Sequence, residues 1–334
     1  MAGLIESVAA LEEIIGRTPP AVNLKVIDHI DAGARRWLAA SPLMFAGCDA
    51  EGGMAITLGG GTRGFAEAEQ NRLAVPLDNL DDPRIVRPGA GFSSLFLVPG
   101  IGETLRINGR VADCAGGVLS VAVEECYAHC AKALIRSEFW KAEPTAARAA
   151  DARAFVAATR FVALATADAA GNADLSPKGD PAGAMVRMDR DRLCFAERPG
   201  NRRADGFRNI LTQPRIAAVL LVPGSSEVAL VQGTASLTTD EAMLAGFAVQ
   251  GKVPLLATCI DAPRIELRAS PALERAQLWP AAEAPADIRP AKIFADHVRL
   301  NKAKGLGARV AAAFVSVPGL MQKGLDKDYK DNLY

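Results

Sequence analysis

The segment Arg198-Pro199-Gly200-Asn201-Arg202-Arg203 gathers three guanidiniums within six residues. A Pro-Gly turn leads into Asn201, a residue type that caps helices by accepting from the free N–H groups of a first turn. Arg202 and Arg203 are then expected on that turn. The partial positive charge of a helix start, with two guanidiniums added, suits a phosphate. A solvated basic turn is the plainer reading of the same residues. Upstream, Leu175-Ser176-Pro177-Lys178-Gly179-Asp180-Pro181 places a hydroxyl and an amine at an expected strand end. Those groups could hydrogen-bond a planar polar ring; an ordinary Pro/Gly turn is the alternative. Cys126, His129 and Cys130 are read on one short helix. That trio lacks an obvious fourth metal ligand, so helix packing is the preferred reading and no metal is assigned. His129 is also a candidate pocket residue, whereas His29 and His297 are read as structural or solvent-facing. No Ser-His-Asp order with supporting motifs, HExxH pattern or Walker loop is present.

The elements that must position these groups repeat along the chain. Arg72-Leu73-Ala74-Val75 answers Arg192-Leu193-Cys194-Phe195, and Pro83-Arg84-Ile85 answers Pro214-Arg215-Ile216. Leu97-Val98-Pro99-Gly100 answers Leu221-Val222-Pro223-Gly224, and Arg136…Trp140 answers Arg275…Trp279. Four matches in one order define a first half over about 20–142 and a second over about 146–283. Each half opens on a helical pattern, over Val26–Leu38 and Ala146–Ala158. Each helix runs into a short apolar strand, Pro42–Gly47 or Arg160–Ala165, followed by a turn. Further short strands are expected at Arg192–Ala196, Ile216–Val222 and Glu227–Leu237. Short strands between tight turns predict sheets curled into small barrels. The division expected is 1–142, 143–285 and a helical extension over 286–334, with helices at 289–301 and 305–322 and a mobile charged tail from Lys323.

The halves diverge in complementary ways. Glu197–Ile210 inserts a loop and a helix where the first half has only Leu77–Asp82. Conversely, the first half has Glu124–Ala133 where the second has Ile265–Ala272, which carries a proline. Leu58-Gly59-Gly60-Gly61 reads as a degenerate copy of Leu175-Ser176-Pro177-Lys178.

The bulk composition narrows the setting. The chain has 334 residues, half of them apolar, with 38 basic and 38 acidic side chains. Zero net charge disfavours general nucleic-acid binding, which needs a basic surplus. No window approaches the ~20 apolar residues of a membrane span. Six scattered cysteines, none in a CxxC pair, are too sparse for a disulfide scaffold. The acidic amphipathic start does not read as a signal peptide. The expectation is a soluble, cytoplasmic protein with reduced thiols.

The motifs in combination resemble the FMN-binding split-barrel flavoproteins of the pyridoxamine 5′-phosphate oxidase-like family. The resemblance rests on Ser176–Pro181, Arg198–Arg203, Gly102–Arg110 and His129–Trp140, and spans most of 20–283. It departs from the family's SPRGDP-, GETLRVNGR- and RSxLW-like patterns at Lys178, Ile107 and Phe139. It implies two split β-barrels fused in tandem, a mainly β fold forming an intrachain pseudo-dimer. It implies one FMN per chain in a composite site. Ser176, Lys178, Glu197, Arg198, Asn201, Arg202 and Arg203 would come from the second half, and Thr104, Arg106, Lys132 and Trp140 from the first. The pseudo-symmetric second site would be vestigial. The activity implied is an FMN-dependent oxidoreductase acting on a small molecule by hydride transfer. Haem or deazaflavin binding and non-catalytic flavin binding are the alternatives. No Arg-x-His-like motif follows Trp140 or Trp279, so a vitamin B6 substrate is unsupported. The chain is expected to be a monomer or a higher homo-oligomer, with no nucleic-acid or membrane partner.

Overall fold

The computed structural model describes residues 3–50, 53–200, 203–302 and 320–334. It is mainly β, with two antiparallel sheets and several helices. In chain order the strands are β1 (Leu4–Ile5), β2 (Leu43–Ala50), β3 (Gly53–Gly60), β4 (Glu67–Ala68), β5 (Arg72–Pro76), β6 (Gly91–Leu97), β7 (Thr104–Asp113) and β8 (Val118–His129). There follow β9 (Phe161–Ala167), β10 (Ala173–Gly179), β11 (Val186–Asp189), β12 (Arg192–Glu197), β13 (Arg215–Leu221), β14 (Glu227–Thr238) and β15 (Leu256–Ala269). One sheet runs β3-β2-β6-β7-β8-β5-β4 and the other β10-β9-β13-β14-β15-β12-β11, with β1 added on β14. Advancing every strand of the first order by seven gives the second.

The pairing registers carry the same correspondence. Leu43 pairs with Gly60 and Leu97, and Phe161 pairs with Gly179 and Leu221. This frame sets Gly59 opposite the role of Lys178. It corrects the expected alignment of Gly61 with Lys178 by two residues, because the glycine run continues past the strand end.

Each half is entered by a short capped helix. Asp31 accepts from Ala34 N at 2.7 Å and starts Ala32–Ala40, and Asp151 accepts from Ala154 N at 2.8 Å and starts Ala152–Ala158. Both helices begin later than the apolar pattern predicted, since a capping aspartate sets the start more sharply than hydrophobic spacing does.

Strands β2 and β9 are buried on both faces, which is why they read as continuous apolar runs. Alternate residues serve different cores. Met44, Ala46 and Cys48 pack inside the first sheet, and Val162 and Leu164 inside the second. Leu43, Phe45, Phe161, Ala163 and Ala165 share one cluster between the sheets. Helices cross over to close this seam. Helix Pro271–Ala276 lies on β3, and helix Lys132–Arg136 lies on β10. The approach is tight enough to require glycine. A Cβ on Gly60 would stand 2.2 Å from the Ala272 carbonyl oxygen, and one on Gly179 would stand 1.9 Å from that of Ala133.

Three expectations are corrected here. Cys126 and His129 lie on strand β8, not on a helix, which begins only at Lys132. Cys194 and Cys259 face each other across β12 and β15 and form a disulfide, so those two thiols are not reduced. Residues from Lys323 belong to an ordered helix, Leu320–Asp331, and not to a mobile tail. Most of the helix expected at 305–322 lies outside the described residues. No helix among the described residues is long and apolar enough to cross a membrane.

One buried ion pair ties the sheets together. Arg106 of β7 reaches Asp174 of β10 at 2.5 Å and the Tyr127 hydroxyl at 2.7 Å, and it donates to the Leu175 carbonyl. Its side chain and that of Asp174 are 2% and 8% exposed, so solvent cannot replace either partner. Arg106→Met is expected to strand a buried carboxylate and to cost about 3–5 kcal/mol. Chemical denaturation would show this as a lower midpoint; a loss under about 1 kcal/mol would mean that the pair does not hold the seam.

Candidate functional site

A cavity of about 490 Å³ opens along the seam. The first half contributes His129, Cys130, Lys132 and Arg136 from the end of β8 and the helix after it. The second half contributes Ser176–Gly179 from β10, Ala196–Gly200 from the end of β12, Arg203 and Phe207. The ends of β10 and β12 are brought together because their strands close the same half, while the crossed-over helix carries Lys132 and Arg136 onto them.

Charge dominates the lining. Lys132, Arg136, Lys178, Arg198 and Arg203 face it, against the carboxylates Glu197 and Asp328. Lys178 Nζ contacts Glu197 Oε2 at 2.6 Å, and the other Glu197 oxygen accepts from Thr258 Oγ1 at 2.7 Å. Arg198 Nε donates to Asp180 Oδ2 at 2.6 Å and its Nη2 to the Phe247 carbonyl at 2.6 Å. Burial raises the Asp180 carboxyl to about 6, against the lowering effect of Arg198. Arg203 spans the seam: Nε contacts Asp205 at 2.5 Å, Nη2 contacts Glu125 of β8 at 3.2 Å, and its guanidinium lies 4.4 Å from the Tyr127 ring centre. Burial, and then the nearby Arg106, Lys25 and Arg203, hold His129 well below its usual range, so its imidazole is neutral.

Most of the described expected residues converge. Ser176, Lys178, Glu197, Arg198 and Arg203 line the cavity together with Lys132 from the other half. Asn201 and Arg202 lie outside the described residues. The helix expected to start at Asn201 spans Asp205–Thr212, so Arg203 precedes its first turn.

Three expected contacts stand elsewhere. Arg106 is consumed by the ion pair with Asp174. Thr104 is buried at the start of β7, opposite His129 in the register but not on the cavity wall. Trp140 donates from Nε1 to the Ile101 carbonyl at 2.6 Å and packs edge-on against Phe139 in the shared core.

The sequence left open whether the C-terminal extension caps the barrel or lies over the pocket; helix Leu320–Asp331 lies against the cavity, though none of its contacts was foreseen. Asp328 pairs with Lys132 at 2.8 Å. Tyr329 accepts from Ala131 N at 3.2 Å and donates to Glu103 at 3.0 Å. The Tyr334 ring centre lies 5.7 Å from the guanidinium of Arg136 and 5.5 Å from that of Arg198. These partners are some 200 residues away in sequence, and no local pattern announces them. Arg136 itself was visible as part of the repeat, yet only its neighbour Trp140 was taken as a site residue.

At the equivalent place in the first half the two lysines have no counterpart, while Arg275 stands for Arg136 and donates to the Gly60 and Asn79 carbonyls. The register puts Gly59 where Lys178 stands and Pro271 where Lys132 stands. Residues 77–80 fold back on the strand there: Gly59 bridges to Leu80, and Asn79 donates to the Gly60 carbonyl at 2.9 Å.

Comparisons with known proteins place the second half. Residues 149–278 match the family model described as pyridoxamine 5′-phosphate oxidase. Among solved structures, HupZ of Group A Streptococcus is 20% identical, covering 36% of this chain and 93% of its own with a TM-score of 0.28. A candidate pyridoxamine 5′-phosphate oxidase from Lactobacillus delbrueckii is 25% identical, covering 32% and 82% with a TM-score of 0.24. General Stress Protein 26 from Bacillus anthracis is 14% identical, covering 34% and 92% with a TM-score of 0.26. No curated protein sequence matches the chain. Over residues 149–278, the chain is similar to the pyridoxamine 5′-phosphate oxidase family.

Proposed function

We propose that the chain is an FMN-dependent oxidoreductase for a small molecule, built as two split barrels fused in tandem. The first half over 1–142 and the second over 143–285 form a pseudo-dimer within one chain, with 286–334 as an extension over the site, and the protein works as a monomer. The shared strand order and matching registers support the fusion. The observation that carries the function is the single composite cavity, whose lining brings five cationic side chains against two carboxylates. Its volume suits a nucleotide-sized cofactor, and the surplus of guanidinium and ammonium groups suits a phosphate monoester.

Bound FMN would supply hydride exchange at its ring. The chain would supply the rest. Arg203 and Lys132 would meet the phosphate, Lys178 and Ser176 would hydrogen-bond polar edges of the ring, and Leu164, Phe207 and Leu256 would form its apolar wall. At the equivalent place in the first half Asn79 and Arg275 are taken up by the Gly60 carbonyl, which supports one cofactor per chain.

A haem-binding reading is favoured by one observation. His129 lines the cavity with a neutral imidazole, the protonation state in which the side chain ligates haem iron.

Absorbance of the protein titrated with FMN and with haem separates the two readings. Flavin bands saturating at one per chain are expected; a Soret band with no flavin uptake would replace the flavin reading by the haem one. Arg203→Ala is expected to weaken FMN about tenfold or more, the value of a charge-assisted hydrogen bond. Riboflavin, which lacks the phosphate, should be much less affected, and equal losses for both ligands would count against phosphate anchoring. Asp328→Asn removes a carboxylate from the lining. It is expected to tighten FMN about two- to fivefold, the scale of a partly exposed ion pair, as read by flavin fluorescence quenching.

A further inference from the structure

Behind the composite cavity lies a smaller chamber of about 100 Å³. The two share His129, Cys130, Lys132 and Asp328 as a common wall. The chamber's other sides come from Lys25, Glu103, Phe294, Leu325 and Tyr329.

Lys25 is unlike the other cations nearby. Its side chain is buried, at 4% exposure, and its ammonium donates to the Ala128 carbonyl at 2.8 Å. The ring centres of Tyr127 and Phe294 lie 5.4 and 5.6 Å away. Arg106 has Asp174, Arg203 has Glu125 and Asp205, and Lys132 has Asp328. No carboxylate of a described residue comes within ion-pair distance of Lys25. A buried ammonium without a counter-ion is costly. Burial, together with the charges of Arg203 and Arg106, lowers its pKa to about 8 against the opposing effect of Cys130. Across the chamber, the buried Nδ1 of His129 also lacks a partner. Lys25 and His129, two residues whose polar groups chain folding leaves incomplete, both line this small space.

We propose that this chamber is an acid-binding subsite in which Lys25 and His129 hold the carboxylate of a small monocarboxylic substrate. The assignment rests on the flavin reading for what the acid would lie beside. One carboxylate supplies acceptors for the remaining ammonium hydrogens and for an Nδ1–H of the neutral imidazole. Pro290, Phe294 and Leu325 offer a short apolar stem a dry wall. Glu103 and Asp328 on the same walls disfavour a doubly charged phosphate. The volume admits an acid of a few carbon atoms and excludes a nucleotide.

The test titrates the flavin-free full chain with sodium acetate and, separately, with inorganic phosphate. It follows the Lys25 side-chain methylene signal by NMR and the heat by calorimetry. Acetate is expected to bind and to raise the pKa read from the Lys25 signal, because a counter-ion favours the charged amine. Lys25→Met should weaken acetate at least about tenfold. Should Lys25→Met fail to fold, Leu325→Trp fills the chamber from the covering helix and is expected to abolish acetate binding. An unmoved Lys25 signal, or equal acetate binding by both variants, overturns the subsite. A response to phosphate with none to acetate overturns the carboxylate assignment. FMN uptake is measured on the same samples. Acetate binding without FMN uptake supports the subsite and overturns its flavin setting, so the two failures are told apart.

Discussion

Everything at this site depends on how the seam between the sheets neutralises buried positive charge. Arg106, Arg203, Lys132 and Lys25 all approach the junction of β8, β10 and the helix Lys132–Arg136. Removing a guanidinium from water is tolerated only where a carboxylate meets it with good geometry. Arg106 satisfies that condition across the seam, with Asp174 from the other half. The pair therefore works as a registration device: sliding either sheet along the other would strand two buried charges. Its pseudo-symmetric counterpart, Leu230 against Ala55, carries no charge. The cavity side of the seam is thus crossed by a buried ion pair, whereas the other side is crossed by Asp81, which accepts from Ser270 and Ala272, and by Arg275, which donates to the Gly60 carbonyl.

That asymmetry explains what the chain discloses when read without its fold. Three of the four repeat matches fall at equivalent places in the two halves, whereas Pro83–Ile85 forms a short turn ahead of β6 and Pro214–Ile216 leads into β13. The motifs around Ser176–Lys178 and Glu197–Arg198 were legible because the side chains of each lie on one stretch of backbone. Arg106 could be read from sequence as a ligand contact or as a core-edge charge, and it pairs with Asp174. Its place in a strand beside Glu103 and Thr104 looks the same whether the guanidinium serves a ligand or a carboxylate in the other half, and only the packing of β10 against β7 decides. Trp140 is similar: an aromatic near a domain end covers a ligand or packs on a core, and here it packs edge-on against Phe139 of the shared core. The strand at Cys126–His129 was mistaken for a helix because Ala and Glu raise helical propensity locally. Pairing to β7 overrides that preference.

The covering helix is the least legible element and the most consequential for access. Its contacts are a salt bridge, a tyrosine hydroxyl shared by Ala131 and Glu103, and an aromatic ring between two guanidiniums. None has a sequence period, and each engages a group that also lines the cavity or its chamber. Partly exposed ion pairs and cation–π contacts are individually weak. A cover held by several weak contacts can exchange them one at a time for those of an entering anion, without breaking the packed core beneath. The strong, fully buried pair of Arg106 and Asp174 stays fixed while the weak ones are traded. A site that must both admit a charged ligand and exclude water needs this division between permanent and exchangeable counter-ions.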